Sequence, residues 1–170
     1  MPAALSRTQR VIRNAEGYLE LGLPEAAAAA LERRQSDVLS DGRASYLWGE
    51  SLRELKRYRE AIVPLEAAAR QRPADIHVWL ALAWCYKRTG RILEAIRALE
   101  SALDSEPREP ILHYNLACYW SLLAQRTRAL SFLQHAIDLN SNFRDLVNDE
   151  PDFDLLRNDP EFRALTSVIV

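Results

Sequence analysis

An all-α solenoid of antiparallel helix pairs is the fold this sequence predicts, and three observations predict it. The first is composition: of 170 residues only 5 are Gly, 48% are apolar and 27% charged. Ala, Leu, Glu and Arg, all strong helix formers, outweigh β-branched residues. The second is a 34-residue period that holds without insertion from Thr8 to Phe143. The third is a pair of small residues at fixed places in every period, which two helices need if their axes are to approach closely.

The register is read from Trp79 through Leu82, Ala83, Tyr86, Gly90, Ala95, Leu99, Ala102 and Pro107. One period earlier stand Ser45, Trp48, Gly49, Leu52, Lys56, Ala61, Leu65, Ala68 and Pro73; one period later, His113, Leu116, Ala117, Trp120, Ala124, Ala129, Leu133, Ala136 and Ser141. The first copy reads Val11, Asn14, Ala15, Tyr18, Gly22, Ala27, Leu31, Arg34 and Leu39. A period of this length marks a stack of helix pairs, none of which buries its apolar stripe alone. The four units are 8–41, 42–75, 76–109 and 110–143, and 144–170 form a C-terminal helical cap.

Each element has its own signals. In the first helices, the small Ala15, Gly49, Ala83 and Ala117 are expected opposite Ala27, Ala61, Ala95 and Ala129 of the second helices, with Tyr18, Leu52, Tyr86 and Trp120 filling the space one turn on. Leu31, Leu65, Leu99 and Leu133 are expected to pack on the next unit. Gly22 and Gly90 fall where the turn between helices wants a left-handed residue. Asp41 and Asp75 read as N-caps, Pro24 and Pro110 suit the first helical position, and Pro73 and Pro107 mark helix exits. Pro64 falls inside a second helix, where it removes one backbone bond and favours a kink. The Ala26–Ala30 run sits within a helix that needs small residues and is no linker.

The run Trp79…Leu82-Ala83…Tyr86…Gly90…Ala95…Leu99…Ala102…Pro107 resembles a complete tetratricopeptide repeat, and the flanking units resemble good to fair copies. The first unit departs most, with Asn14 for a large apolar residue and Arg34 for a small one. The resemblance implies a right-handed superhelix whose first helices line a concave groove that holds a peptide or helix of a partner protein. Groove-facing places include Ile12 and Glu16 in the first unit, and Tyr46, Glu50 and Arg53 in the second. The third unit supplies His77, Leu80, Trp84, Lys87 and Arg88, and the fourth Tyr114 and Asn115. Tyr46, Leu80, Trp84 and Tyr114 make an apolar and aromatic strip of the kind that marks recognition sites, with Arg53, Lys87 and Arg88 at one edge. Repeats that hold chaperone C-terminal carboxylates carry a clamp of Lys, Asn and Arg in the groove. Here those places read Ile12, Glu16, Leu47, His77 and Ala81 in one frame, and Tyr46, Glu50, Ala81, Ile111 and Asn115 in the next, so that ligand is disfavoured.

Beyond Asn142 the period stops. Asp159-Pro160 reads as an N-cap followed by a first helical residue, and the segment resembles the closing stretch of many bacterial tetratricopeptide proteins. Phe143, Leu146, Phe153, Leu156, Phe162 and Leu165 are the apolar set expected to cover the last unit. A lid over the open end is the expectation; the rival is a segment lying in the groove.

Catalytic chemistry finds no support. There is no glycine-rich phosphate loop, nucleophile elbow or paired-carboxylate pattern, so no enzyme and no cofactor is expected. Cys85 and Cys118 fall on first helices of adjacent units, whose axes stand roughly 9–10 Å apart, too far for a disulfide; buried thiols are expected. His77, His113 and His135 lack partners at metal-ligand spacing, and His113, standing where Trp79 stands, reads as a packing residue. Asp149, Glu150, Asp152 and Asp154 read as helix caps rather than as a calcium loop, because the stretch has a proline where a turn glycine is needed. The net charge of −2 and the intermixing of signs exclude a nonspecific nucleic-acid binder. The most apolar stretch, Val78 to Tyr86, is far shorter than the ~20 residues of a membrane span. With no export signal at the N-terminus and only two cysteines, a cytoplasmic setting is expected. Val168-Ile169-Val170 is a weak candidate for a strand-addition tail. A non-catalytic protein-binding module is therefore expected, the alternative being a subunit that docks through its convex face or cap.

Overall fold

Eleven α-helices, two short 3₁₀ segments and no strand make up the described residues, 6–167, of the computed structural model. The all-α expectation holds; Val168-Ile169-Val170 lie outside the described residues. The chain divides at Arg91–Ile92 into two compact units.

In the first unit the helices are α1 (Arg7–Glu20), α2 (Pro24–Glu32), α3 (Gln35–Leu39), α4 (Gly42–Glu54), α5 (Tyr58–Gln71) and α6 (Ile76–Arg88). Each first helix starts on a side-chain cap. Ser6 and Gln9 form a reciprocal capping box, Asp41 accepts from the amides of Arg43 and Ala44, and Asp75 accepts from that of His77. Packing runs α1 on α2, α2 on α4, α4 on α5 and α5 on α6, as stacked helix pairs require. The small residues explain the closeness: Ala15, Ala27 and Ala61 have no exposed surface. Gly49 stands tight against Leu65, since a Cβ there would lie 2.4 Å from the Leu65 Cγ. Pro64 lacks the amide that would reach Glu60, yet α5 runs unbroken from Tyr58 to Gln71 with the ring wholly buried.

The first repeat shows what Arg34 does. In the other three repeats this place holds Ala68, Ala102 and Ala136, all fully buried. A guanidinium has no room there, and the second helix breaks at Arg33–Arg34 into α2 and α3. Arg34 turns outward to Asp37 at 3.2 Å, and Val38, 1% exposed, fills the interior instead.

The second unit comprises α7 (Ile92–Leu103), α8 (Pro110–Leu122), α9 (Arg126–Leu139), α10 (Phe143–Leu146), 3₁₀ segments at Val147–Asp149 and Pro151–Leu156, and α11 (Pro160–Thr166). Here α7 packs on α8 and α8 on α9, while the cap segments lie over α8 and α9. Phe143, Phe153, Leu156 and Phe162 are buried as expected. Leu146 is not: it is 53% exposed, and Val147, with no exposed surface, takes the inward place. The helix tightens into 3₁₀ geometry at Val147, and the wider angular step per residue moves the buried position along by one. Leu165 is half-buried.

The 34-residue register survives in small backbone details. Gly22, Lys56, Gly90 and Ala124 all have positive φ, at 69°, 60°, 80° and 54°. Lys and Ala hold this conformation at a cost of ~1–2 kcal/mol each, part of which glycine's greater unfolded freedom would return. Ala124→Gly is expected to stabilise the protein by about 0.5–1 kcal/mol in thermal denaturation. Ser45, Trp79 and His113 occupy one register place, and all three engage a carbonyl before their helix. Ser45 Oγ donates to Val38, Trp79 Nε1 to Pro73 and His113 Nε2 to Pro107, each at 2.8 Å. A carbonyl partner requires the proton on His113 Nε2, so this histidine is structural, stacked on His135 at 5.6 Å.

An ion-pair clasp closes the cap. Arg126, first residue of α9, binds Asp159 and Glu161 at the start of α11, at 2.5 and 2.8 Å. The Arg126 hydrogen bond, aided by the Phe162 amide, holds the Asp159 carboxyl down from 3.8 to about 2. A depressed carboxylate stabilises the fold above its unfolded value and loses that contribution as pH falls through its folded value. Protection of the α11 amides, taken relative to their intrinsic exchange at each pH, is therefore expected to fall between pH 4 and pH 2, and Asp159→Asn to remove that step.

Candidate protein-binding face

In the first unit the residues expected to face a groove lie on α1, α4 and α6. Glu16 of α1 is half-buried and ion-pairs with Arg43 of α4, and Ile12 is half-buried beside it on the same helix. Glu50 and Arg53 form a two-pronged pair along α4, both bonds 2.8 Å, so they satisfy each other. Tyr46 is half-buried with the Arg72 guanidinium 6.0 Å from its ring centroid. Burial, with the Glu50 carboxylate adding to it, pushes its phenol up to about 12.

The α6 stripe differs. His77 is exposed, Leu80 half-buried and Trp84 40% exposed, and these residues recur every three to four positions along one face. The Lys87 ammonium sits 5.4 Å from the Trp84 ring centroid, within reach of a cation–π interaction. Arg88, one turn beyond Trp84, stacks its guanidinium on Tyr58 of α5 at 5.3 Å. Cys85 faces inward with no exposed surface, and burial raises its thiol to about 12, so it is unreactive near neutrality.

Arg88 also lines a cavity of about 400 Å³ with Lys56, Arg57, Tyr58, Arg59, Glu60 and Thr89. The sequence reading placed Arg88 at the groove edge but missed Lys56, Arg57 and Arg59. The available signal was the run Lys56-Arg57-Tyr58-Arg59, three cations in four residues.

In the second unit Tyr114 and Asn115 stand on α8. Tyr114 is only 6% exposed, because the cap lies over it: Phe143 packs at 5.0 Å and Phe153 edge-on at 5.8 Å. Burial, with Cys118, Glu150 and Asp152 adding to it, raises the Tyr114 phenol well above its ordinary value. Tyr114 therefore does not share the accessibility expected of the aromatic strip. Asn115 is half-buried. Phe153 in turn packs on Phe162 at 5.6 Å, which ties α11 to the same cluster. Cys118 is a buried thiol that forms no disulfide. Its sulfur and the carboxylates of Glu150 and Asp152 lie within 4.8 Å of one another, the grouping of metal-ligand types found among the described residues. The Glu150 carboxylate is engaged there as an N-cap, accepting from the Asp152 amide at 3.2 Å, the role this acidic stretch was expected to play. Arg157 ties the strap down by donating to the carbonyls of Val147 and Glu150, both at 2.9 Å.

A second cavity in this unit, of about 520 Å³, opens between α9 and α11 and is bordered by Arg126, Leu130, His135, Glu161 and Leu165. Among the described residues no helix is long and apolar enough to cross a membrane.

Comparison with known proteins identifies the kind of repeat. Two family models, both described as tetratricopeptide repeat, match residues 12–76 and 52–125. A curated relative, a chloroplastic protein of Arabidopsis thaliana, is 33% identical over 85 residues, which are 47% of this chain and only 25% of that protein. Among solved structures, MamA 41-end from Desulfovibrio magneticus RS-1 aligns with TM-score 0.77 at 17% identity, over 95% of this chain and 91% of that one. A crystal structure of MamA aligns with TM-score 0.74 at 18% identity over 80% of both chains. At these identities the likeness speaks for the fold.

Proposed function

We propose, from the premise that the chain belongs to the tetratricopeptide repeat family, that it holds a segment of a partner protein against the groove-facing side of α4 and α6, with Trp84 as the anchor. The family is one of protein-interaction modules, and the observation that carries the finer reading is the exposure of Trp84. A Trp 40% open to solvent on a helix whose inward face is otherwise closed leaves apolar area unburied in the free protein. Tryptophan also supplies much of the binding energy at protein interfaces. The residues beside it divide the work: Leu80 extends the apolar surface, Lys87 flanks the ring, and the Glu50–Arg53 pair holds its part of α4 rigid.

Trp84→Ala is expected to weaken partner capture from a lysate by about 30-fold or more, equivalent to roughly 2 kcal/mol, with helicity by circular dichroism unchanged. Undiminished capture of the same partner would remove the groove reading. The alternative, docking through the cap, is favoured by Leu146 and Leu155, which are 53% and 68% exposed on the capping segment. Leu155→Asp separates the two readings, since only cap docking should lose the partner.

A further inference from the structure

Trp84 does not stand on a neutral surface. The first unit carries fifteen Lys and Arg against eleven Asp and Glu, a net of +4, while the second carries seven against thirteen, a net of −6. The whole-chain value of −2 hides this separation. Within the first unit the excess gathers at the cavity of about 400 Å³ next to Arg88. Four cations line it, against the single carboxylate of Glu60. That carboxylate is already bound to Arg57, at 2.5 and 2.8 Å. Lys56, Arg59 and Arg88 make no ion pair among the described residues. Stacking on Tyr58 fixes the direction of the Arg88 guanidinium, as a preorganised anion donor requires.

The geometry points to a carboxylate-binding subsite at this cavity, filled by a partner segment that also places an aromatic or large aliphatic residue on Trp84. This rests on the groove reading above and adds the chemistry of the occupant. Trp84 and Arg88 are four residues apart on α6, one helical turn, so their side chains leave the surface ~6 Å from each other. An extended segment covers that distance in about two residues. A helical one covers it in three or four. The matching partner pattern is an apolar residue followed or preceded at that spacing by Asp or Glu. The site lies where the turn Lys56–Arg57 meets the end of α6, away from the groove places at which chaperone-tail binders carry their clamp. A second copy of this chain carries a similar pattern on its cap, where Leu155 is 68% exposed beside Asp154, and sedimentation separates it from a foreign segment.

The test is a selection from a random dodecapeptide phage library on the 170-residue chain, repeated on Trp84→Ala and on the exposed-site double variant Arg59→Glu/Arg88→Glu. Wild-type protein is expected to enrich Asp and Glu at the stated spacing from Phe, Trp, Tyr or Leu. A synthetic copy of the leading peptide should lose at least tenfold in affinity to the double variant, and a comparable factor between 50 and 300 mM salt. Enrichment of neutral or basic peptides that Trp84→Ala abolishes and the double variant does not would overturn the subsite and leave the groove reading standing. Enrichment that survives Trp84→Ala would sink both. Sedimentation of the wild-type protein alone is the remaining arm: self-association abolished by the double variant would assign the site to a second copy and overturn a foreign segment as its occupant. Circular dichroism of both variants shows that lost binding is not lost folding.

Discussion

Phe153→Ala is expected to cost about 3–5 kcal/mol of stability in chemical denaturation, the range for removing a fully buried aromatic from a packed core. The side chain has no exposed surface and joins the Tyr114 ring on α8 to the Phe162 ring on α11. Its loss leaves a void bounded by elements that cannot all close inward, since α8 is fixed by α7 and α9. That loss is a large share of the 5–15 kcal/mol that holds an ordinary domain folded. The substitution also tests the cap's hold on α8 in a second way. Tyr114 titrates high because it is buried under this segment, so a loosened cap should bring its phenol back toward the ordinary range near 10. Ultraviolet titration of the variant reads that change directly. Phe153→Leu, which keeps most of the volume, should cost less than half as much. If both variants denature like the wild type with Tyr114 still titrating high, the cap does not depend on this ring.

Gly49→Ala is the second large effect, and its sign runs against propensity. At an exposed mid-helix site this change stabilises by about 0.8–1 kcal/mol. Here the new Cβ would fall 2.4 and 2.5 Å from Leu65 Cγ and Cδ2, and Leu65 has no exposed surface into which to retreat. Helices α4 and α5 must part or Leu65 must leave its rotamer, either costing more than the helix gains. A net loss of about 1–3 kcal/mol is expected. The companion Leu65→Ala should cost about 2–5 kcal/mol alone, while the double variant should be no worse than Leu65→Ala. That coupling, read by a double-mutant cycle, assigns the effect to this contact.

Most of the fold was legible because its determinants are periodic. Caps at Asp41, Asp75 and Asp159, turns at Gly22 and Gly90, and fully buried alanines all recur at places that a one-dimensional register exposes. Even the break in the first repeat had its sign in Arg34, charged where three alanines are buried. The face was less legible. Tyr46, Trp84 and Tyr114 read alike in sequence, yet they end half-buried, exposed and buried. Their neighbours are not set by the register: Tyr114 is covered by Phe143 at the end of its own period and by Phe153 beyond the last one, and Tyr46 by Arg72 at the far end of its period. The basic cavity joins Tyr58 to Arg88, thirty residues apart, across helices of different repeats. The inward turn of Val147 in place of Leu146 depends on where α-geometry yields to 3₁₀, a change too short for hydrophobic periodicity to register.

The unequal burial of the tryptophans has an optical consequence. Trp48 and Trp120 are each 7% exposed and Trp79 is half-buried with its indole N–H bonded to Pro73, so three of the four chromophores emit from shielded surroundings. Trp84, the most exposed of the four at 40%, contributes the most red-shifted and quencher-accessible part of the emission. Anything that covers Trp84 shifts that component toward the blue and shields it from acrylamide, while the buried Trp48 and Trp120 hold a constant background. The residue proposed to anchor a partner would thus also report, without any added label, whether one has arrived.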